Sequence, residues 1–478
     1  MPLPPLPDAT EPAWRHAAGE ASAPAPDLRG WWHVFGDPAL DRLVDAALED
    51  NLTIAQARLR IEAARVLDAR GQATFLPQVG FHTFAEPTPD SSASYFQAGF
   101  DARWELGLFG RSQARARVTA ADLGLAETEA QAARVSVVAE VARTWIELRG
   151  AQQRLRFAGE IADAAHSRRE LTATRERLHL ATSTDLAHAA SEAEVADAAL
   201  AEPRAAIERA RERLRVLLGG SLPPDLPAGG DPPRLGDVAI ASAPADLLRT
   251  RPEIRRAEYE VLKAAGERGL AHADQFPHVG LGGALTYAAK VIGHTRLSDA
   301  DGIVTFGPAI DIPLFDWGMR RATLEARDAE LSASLLGYRE AVLEGVAEAE
   351  TALATLAQQR ERAAALARSL ANLQQAAASG TTLRRLGLAD GLDQASAHAA
   401  LAQAQLDLAQ AEQERSIAFI ALYKALGGAP LPPSAKRVAT ADDRARASAP
   451  VHADARASQP VAPAAAARDA MPSGGGSR

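Results

Sequence analysis

Hydrophobic and polar residues alternate along the stretch from 94 to 108, which reads SYFQAGFDARWELGL. Successive side chains of a β-strand point to opposite faces, so this period predicts a strand with one apolar and one polar face. The apolar face would carry Phe96, Ala98, Phe100, Ala102, Trp104, Leu106 and Leu108. The polar face would carry Tyr95, Gln97, Gly99, Asp101, Arg103, Glu105 and Gly107.

A second alternating stretch occupies residues 302–315. Its apolar positions are Val304, Phe306, Pro308, Ile310, Ile312 and Leu314, and its polar or small positions are Thr305, Gly307, Ala309 and Asp311. Two apolar stretches around a proline, FLPQVGF and QFPHVGL, predict partner strands at 77–86 and 277–288. We therefore expect two hairpins, with turns at 86–94 and 289–302.

Long helices are predicted on the carboxyl side of each hairpin, because these stretches are rich in Ala, Leu, Glu, Gln and Arg. Residues 111–178 contain no proline, and as one helix they would extend about 100 Å at ~1.5 Å per residue. Pro203 should kink or interrupt a later helix. Apolar seams for neighbouring helices are formed by Val342, Val346, Ala349, Leu353 and Leu356, and by Ile207, Ala210, Leu214 and Leu217.

The chain consists of two similar halves. Residues 51–81 align with 251–281, where Pro77 and Pro277 lie 200 positions apart. Further along, Phe109 aligns with Phe315 and Leu178 with Leu386, so the offset grows only to 208. A period this long is typical of a duplicated half-domain, whereas solenoid repeats have periods of about 20 to 50 residues.

These patterns predict five segments. They are an extended Pro- and Ala-rich leader at 1–30, a first repeat at 31–220, a linker at 221–243, a second repeat at 244–430 and a disordered tail at 431–478.

The alternating strands admit two environments. A half-buried strand of a soluble sheet alternates in the same way, but four such strands beside helices too long for a globule favour a membrane barrel with a wet lumen. Four strands cannot close a barrel, and open strand edges are not tolerated in lipid. We therefore expect several chains to share one barrel.

Composition excludes several functions. The chain has 52 basic and 61 acidic residues, a net charge of −9 and no cysteine. An acidic chain without a basic stripe is not a nucleic-acid binder, and the lack of cysteine excludes disulfides and thiolate catalysis. No metal-ligating pair, phosphate-binding loop or nucleophile elbow occurs. We therefore expect no enzyme activity and no cofactor. The sequence also contains no apolar run that is long enough for a transmembrane helix.

The chain resembles the outer membrane factors, the TolC-like outer membrane efflux proteins, and among them the NodT-type efflux lipoproteins. The stretches that carry the resemblance span 31–430 and include WWHVFGDPALDRLVDAALEDNLTI, FLPQVGF, DARWELGLFGR, LLRTRPEIRRAE, QFPHVGL, DIPLFDWGMRRA and ALYKALGGA. The order of the WWHVFGDPALD and RPEIRRAE stretches is specific to this family.

The resemblance implies an α+β membrane protein with an internal two-fold repeat. Each protomer of a homotrimer would give four strands to a twelve-stranded outer membrane barrel, embedded in outer membrane lipid, and long helices to a periplasmic α-helical barrel. Such a duct receives small substrates, such as drugs or metals, from an inner membrane RND-type pump and a periplasmic adaptor protein. The pump supplies the energy, and the duct performs no chemical step.

The resemblance also places a constriction at the periplasmic tips of the paired helices. Asp185 lies six positions after His179, and Asp393 lies six positions after Gly387. Three chains would place three copies of each aspartate around the axis. Asp390, one turn from Asp393, could add to this ring. Such a ring of carboxylates favours cations. The alternative is that these residues are helix caps. Asp101, Arg103, Glu105 and Asp311 on the polar strand faces would line the barrel lumen.

Members of this branch normally begin with a signal and a lipid-bearing cysteine. The start MPLPPLPDAT does not have the pattern of a secretory signal, so we expect a mature form or a start downstream of the true one. Two alternatives stay open: a cytoplasmic helical scaffold or coiled-coil adaptor, and the outer membrane duct of a protein secretion system.

Overall fold

The computed structural model describes residues 28–86, 95–227, 229, 231–236, 251–290 and 302–431. Several predicted segments lie wholly or mostly outside these residues. They are the leader up to residue 27, both hairpin turns between 87 and 94 and between 291 and 301, the end of the linker with the start of the second repeat at 237–250, and the tail from residue 432.

The described part is mostly helical and contains one sheet. Its helices are α1 (Pro38–Asp50), α2 (Leu52–Ala69), α3 (Arg111–Arg177), α4 (Ser183–Ala198), α5 (Ala201–Leu217), α6 (Pro252–Ala273), α7 (Met319–Arg385) and α8 (Gly391–Ala425). Its strands are β1 (Gln78–Glu86), β2 (Tyr95–Glu105), β3 (His278–Lys290) and β4 (Gly302–Asp311). Among the described residues, no helix combines the length and the apolar character that crossing a bilayer requires.

Two helices dominate the fold. Helices α3 and α7 each contain 67 residues, which corresponds to about 100 Å at ~1.5 Å per residue. Each is followed by a returning partner, α8 for α7 and the pair α4 and α5 for α3. The return path of α3 is interrupted after Ala198, where α4 ends. Pro203 lies in the first turn of α5. Backbone N–H groups of a first turn have no partner within the helix, so the missing N–H of the proline costs no hydrogen bond there.

The strands form an antiparallel sheet in the order β1-β2-β3-β4. Its register aligns the apolar positions of all four strands, since Phe81 lies opposite Phe100, Phe100 opposite Leu285, and Leu285 opposite Val304. The rings of Phe81 and Phe100 are 5.1 Å apart between centroids. This apolar face is open within the single chain, and Phe306 is 80% exposed.

Two strands are shorter than predicted. Strand β2 ends at Glu105 and β4 at Asp311, so Leu106, Leu108, Ile312 and Leu314 lie beyond the strands. The causes are local. Gly107 has a φ of +56°, which extended backbone does not adopt, and Pro313 lacks the N–H that a ladder requires. In the other direction, β3 continues past the predicted residue 288 to Lys290.

The alignment of Phe109 with Phe315 is wrong by two residues. Phe109 and Gly110 have φ values of +54° and +83°, and the same pair of left-handed conformations occurs at Trp317 and Gly318, with +56° and +83°. Helices α3 and α7 begin directly after these pairs. The backbone therefore equates Phe109 with Trp317, 208 positions later.

The main core lies where the amino-terminal segment meets the end of α8. Trp31 stacks on Tyr423 with ring centroids 5.8 Å apart, and its Nε1 donates to the carbonyl oxygen of Gly428 at 3.0 Å. The buried Trp145 of α3 donates to Asp37 at 2.8 Å. These contacts join the first and last described segments to each other and to α3.

Candidate pore constriction and lumen face

The two helical turns at the ends of α3 and α7 have the same conformation. At the first, the N–H of Leu180 donates to the carbonyl of Arg175 at 2.8 Å, and at the second Leu388 donates to Leu383 at 2.9 Å. This bonding is the Schellman motif, which requires a left-handed residue. His179 takes that position in the first turn with a φ of +53°.

Gly387 takes the corresponding position in the second turn, with a φ of +73°. Glycine adopts this conformation at no steric cost, whereas histidine has a Cβ that crowds the backbone. The first turn therefore holds a strained residue where the second holds a relaxed one.

Each turn is followed by a capping box. The Thr182 hydroxyl accepts the N–H of Asp185 at 3.1 Å, and the Asp185 carboxylate accepts the N–H of Thr182 at 2.8 Å. In the second turn Asp390 and Asp393 exchange equivalent bonds of 2.9 and 3.1 Å. The interpretation of these residues as helix caps is therefore confirmed, and their role at a constriction stays a prediction.

Electrostatics keep these exposed caps ionised. The backbone N–H and the hydroxyl of Thr182 hold the pKa of Asp185 below its usual range. The pKa of Asp390 is also lowered, mainly by the backbone N–H of Asp393 and next by the Arg175 guanidinium. Arg175 Nη1 lies 3.4 Å from Asp390 Oδ2, so the chain brings the end of α3 to the start of α8.

Exposed leucines flank both turns. Leu178 and Leu180 belong to the first turn, and Leu386 and Leu388 occupy the same positions 208 residues later. All four side chains are exposed. Each tip therefore presents carboxylates on its capped helix and an apolar patch on its turn.

The polar face of the sheet carries the predicted lumen residues. Asp101, Arg103 and Glu105 share one face of β2, and the Asp101 carboxylate contacts the imidazole of His82 of β1. Arg103 Nε lies 4.0 Å from Asp101 Oδ2. Asp311 lies on the same face at the end of β4, opposite His278 of β3. The polar face thus mixes acidic and basic groups.

A further charged cluster joins the sheet to the helices, and the sequence patterns did not identify it. Arg111, in the first turn of α3, contacts Glu105 at 3.1 Å and forms an ion pair with Asp274 at the end of α6. His278 Nδ1 lies 3.0 Å from Arg111 Nη1 and 3.5 Å from Glu105 Oε1. Glu105 and Arg111 are separated from Asp274 and His278 by more than 160 positions, so no local pattern could have joined the two pairs.

Comparison with known proteins places the chain among export channels. A family model described as outer membrane efflux protein matches residues 43–220 and 243–428. The toluene efflux pump outer membrane protein TtgI of Pseudomonas putida is 31% identical over 335 residues, which are 64% of this chain and 68% of TtgI. The outer membrane protein OprJ of Pseudomonas aeruginosa is 29% identical over 360 residues, 72% and 74% of the two chains.

Solved structures agree with these relatives. The outer-membrane channel OprN superposes with a TM-score of 0.76 at 30% identity, over 90% of this chain and 99% of OprN. The open state of the Neisseria gonorrhoeae MtrE outer membrane channel gives a TM-score of 0.72 at 25% identity, over 89% and 98% of the two chains.

Proposed function

Because the chain belongs to the outer membrane efflux protein family, we propose that three copies of it form the exit duct of a tripartite efflux system. The protein is a transport duct of the outer membrane with a periplasmic extension, and not an enzyme. Membership of this family makes the alternative of a cytoplasmic helical scaffold wrong.

The observation that supports the membrane part of this proposal is the open apolar face of the sheet. Val79, Phe81, Phe100, Phe306 and Ile310 are all more than half exposed on it. Water would oppose so large an apolar surface, whereas the acyl chains of a bilayer cover it. The opposite face, with Asp101, Arg103 and Glu105, then lines an aqueous lumen.

The open edges of the sheet support a shared barrel. Among the described strands, β1 and β4 each pair on one side only. In lipid the free N–H and C=O groups of both edges need partners. Three copies in a ring supply twelve strands and satisfy every edge, which is the arrangement that the sequence resemblance implies.

The helical part then forms the periplasmic duct, and its tips form the constriction. Three copies place three equivalents each of Asp185, Asp390 and Asp393 around the axis. A ring of carboxylates attracts cations and repels anions. The Arg175–Asp390 ion pair joins the two tips of each copy.

The tips also offer a surface for the periplasmic adaptor. The exposed Leu178, Leu180, Leu386 and Leu388 give apolar anchor points. A groove of about 700 Å³ lies between α3 and α8, and its lining includes Glu160, Asp163 and Glu170 beside apolar residues such as Leu171 and Leu401. A helical hairpin of an adaptor fits such a groove. An RND-type pump in the inner membrane supplies the small substrates, such as drugs or metals.

The proposal is tested by expressing the protein with an outer membrane export signal, fractionating the membranes and recording the conductance of the purified oligomer in a planar bilayer. The variant Phe306→Lys places a charge on the apolar face, and Thr305→Lys places it on the adjacent polar position. A charge at mid-bilayer costs about 2–4 kcal/mol, so we expect Phe306→Lys to reduce the membrane-inserted amount while Thr305→Lys inserts and changes the conductance. A soluble monomer without conductance would contradict the proposal.

A further inference from the structure

A cavity of about 310 Å³, the linker cavity, lies between α3, α7, α8 and residues 231–234. Its volume is at the lower end of the range of about 300–1,000 Å³ that is typical of small-molecule sites. Ile146 and Phe157 of α3 belong to its lining and are buried. Asp231 and Arg234 also line it and are exposed, so the cavity is accessible from solvent.

The linker wall of this cavity is fixed by two arginines. Arg149 of α3 is buried and donates to the carbonyl oxygens of Gly229 at 2.8 Å and Asp231 at 3.1 Å. Arg415 of α8 donates to the carbonyl oxygen of Gly236 at 3.0 Å. A guanidinium presents its donors in a rigid planar fork. The linker is therefore held on both sides of the cavity, and the cavity is formed before a ligand binds.

Glutamine amides are the main polar groups of the linker cavity. Its lining contains Gln153, Gln374, Gln405 and Gln413. Gln153 is only 8% exposed, and its amide has no hydrogen-bond partner among the described residues. The carbonyl oxygen of Gln413 accepts from Arg154. Buried amides are normally hydrogen-bonded, so we expect a partner from outside the chain at Gln153.

The charges around the cavity balance. Arg156 and Arg234 are its basic lining residues, and Asp231 and Glu412 are its acidic ones. Arg156 Nη2 lies 3.6 Å from Asp231 Oδ1, and Glu412 accepts from Arg415 at 3.3 Å. Neither an anion nor a cation therefore meets an excess of opposite charge. The linker cavity suits an uncharged ligand.

We propose that the linker cavity binds an uncharged sugar ring. Each hydroxyl group of a sugar both donates and accepts hydrogen bonds, and each glutamine amide offers donors and an acceptor. The C–H groups of the ring pack on Phe157 and on the linker residues Pro232 and Pro233. An apolar ligand of the same size would leave Gln153 unpaired, and a site built to form hydrogen bonds rejects such a ligand strongly.

A peptide fits the linker cavity less well. Extended peptides bind through free main-chain N–H and C=O groups. Three walls of the cavity are helices, whose main-chain groups are bonded internally, and the linker residues Pro232 and Pro233 have no N–H. The carbonyl oxygens of Gly229 and Asp231 already accept from Arg149. Side-chain amides therefore recognise the ligand. All of these residues belong to one chain, so the site is independent of the trimer and of the export function.

The test measures saturation transfer by NMR from the purified full-length protein to free sugars, in a detergent without a sugar headgroup. Glucose and N-acetylglucosamine are the probes, and alanyl-alanine is the comparison ligand. The variant Gln153→Leu keeps a side chain of similar size but removes the amide. We expect it to bind the sugars about tenfold more weakly, because a hydrogen bond to a buried group is lost.

The matched control is Gln410→Leu. Gln410 is an exposed glutamine of α8 that bonds to Glu414 at 3.0 Å and lies outside the lining of the cavity, so this variant should bind sugars as the wild type does. If Gln153→Leu lowers the temperature of thermal unfolding, Gln405→Leu decides. Gln405 lines the cavity but is only half-buried, and its replacement should weaken sugar binding at unchanged thermal stability.

A free sugar and one unit of a glycan polymer share this chemistry, and cosedimentation with purified cell-wall glycan separates the two sources. Sedimentation of the wild type but not of Gln153→Leu would assign a polymer unit. Binding of the free sugars alone would assign a soluble ligand.

Three results would overturn the site and leave the export function standing. They are no saturation transfer to either sugar from protein that inserts and conducts, equal transfer to alanyl-alanine, and sugar binding that Gln153→Leu and Gln405→Leu do not weaken more than Gln410→Leu does. Sugar binding that depends on Gln153 in a protein that does not conduct would support the site and contradict the export function.

Discussion

Arg175 in the last turn of α3 forms an ion pair with Asp390, the N-cap of α8, across a distance of 3.4 Å. Each group suits the helix that carries it, because a cation at a carboxyl end and an anion at an amino end both oppose the helix dipole. Both side chains are about half exposed, so the pair contributes little to global stability. The effect of the pair is instead to hold the end of α3 next to the start of α8, so that the two tips of one chain stay together.

Removing this pair should loosen the resting constriction. In Arg175→Gln the side chain remains long and polar but loses its charge, so we expect a higher resting conductance in planar bilayers with unchanged thermal stability. Arg177→Gln removes another exposed charge two residues away. Because Arg177 contacts Thr174 and not Asp390, this variant should leave the conductance as in the wild type. Equal conductance in the wild type and Arg175→Gln would refute the positional role.

Replacing the carboxylates of the caps should change ion selectivity without disturbing the helices. In the double variant Asp185→Asn and Asp393→Asn, the amide oxygens can still accept the backbone N–H bonds of the capping boxes. We expect the ratio of cation to anion permeability, measured from reversal potentials in a salt gradient, to fall. The control removes two exposed charges from α1 with Asp45→Asn and Glu49→Gln, and a similar fall there would argue against a constriction at the tips.

The strained histidine predicts a stabilising substitution. His179 has a φ of +53°, and a residue with a Cβ costs about 1 kcal/mol in this conformation. His179→Gly should therefore slow hydrogen exchange of the amides around 176–186. The converse change, Gly387→His, should speed exchange at the second tip. If His179→Gly speeds exchange, an unrecognised contact of the imidazole outweighs the strain.

Because α6 packs closely on α3, a larger side chain at Gly266 should destabilise the protein, and a smaller one at Val118 should restore part of the stability. In Gly266→Val the new side chain meets Val118, and overpacking typically costs about 1–3 kcal/mol. We expect a lower temperature of thermal unfolding for the detergent-purified protein, with partial recovery when Val118→Ala is added. Gly159→Val in α3 meets nothing within 4 Å of its Cβ, and it controls for helix propensity. A loss that Val118→Ala does not reduce would place the clash elsewhere.

Acid should weaken the tips. The pKa values of Asp185 and Asp390 are lowered in the folded chain by hydrogen bonds to their carboxylates. Their stabilising contribution is therefore complete above the ordinary carboxyl range, near pH 4, and is lost as the pH falls through the lowered folded values. Hydrogen exchange at the tips, corrected for the intrinsic rate, should accelerate below about pH 4.

The matched variants Asp185→Asn and Asp390→Asn should reduce this acid response, because an amide does not titrate. Greater protection at low pH than at neutral pH would reverse the expected sign and exclude the caps as its cause.

The sequence determined the faces of the strands and the length of the helices. Side chains alternate across a strand whatever surrounds it, so Phe100 and Asp101 had to lie on opposite faces. The absence of proline from 111 to 178 removed the residue that most strongly breaks a helix, and α3 runs unbroken to Arg177. The start of α4 could also be predicted, since Thr182 precedes Asp185 by three residues, which is the spacing of a capping box.

Only the tertiary structure decided where β2 ends and which distant residues meet. Apolar alternation continues through Leu108, but β2 stops at Glu105 because Gly107 turns the backbone beside Phe75. The contacts Arg175–Asp390 and Arg111–Asp274 join residues 215 and 163 positions apart. Such pairs depend on how long helices and strands are placed in space, and local periodicity contains no information about that placement.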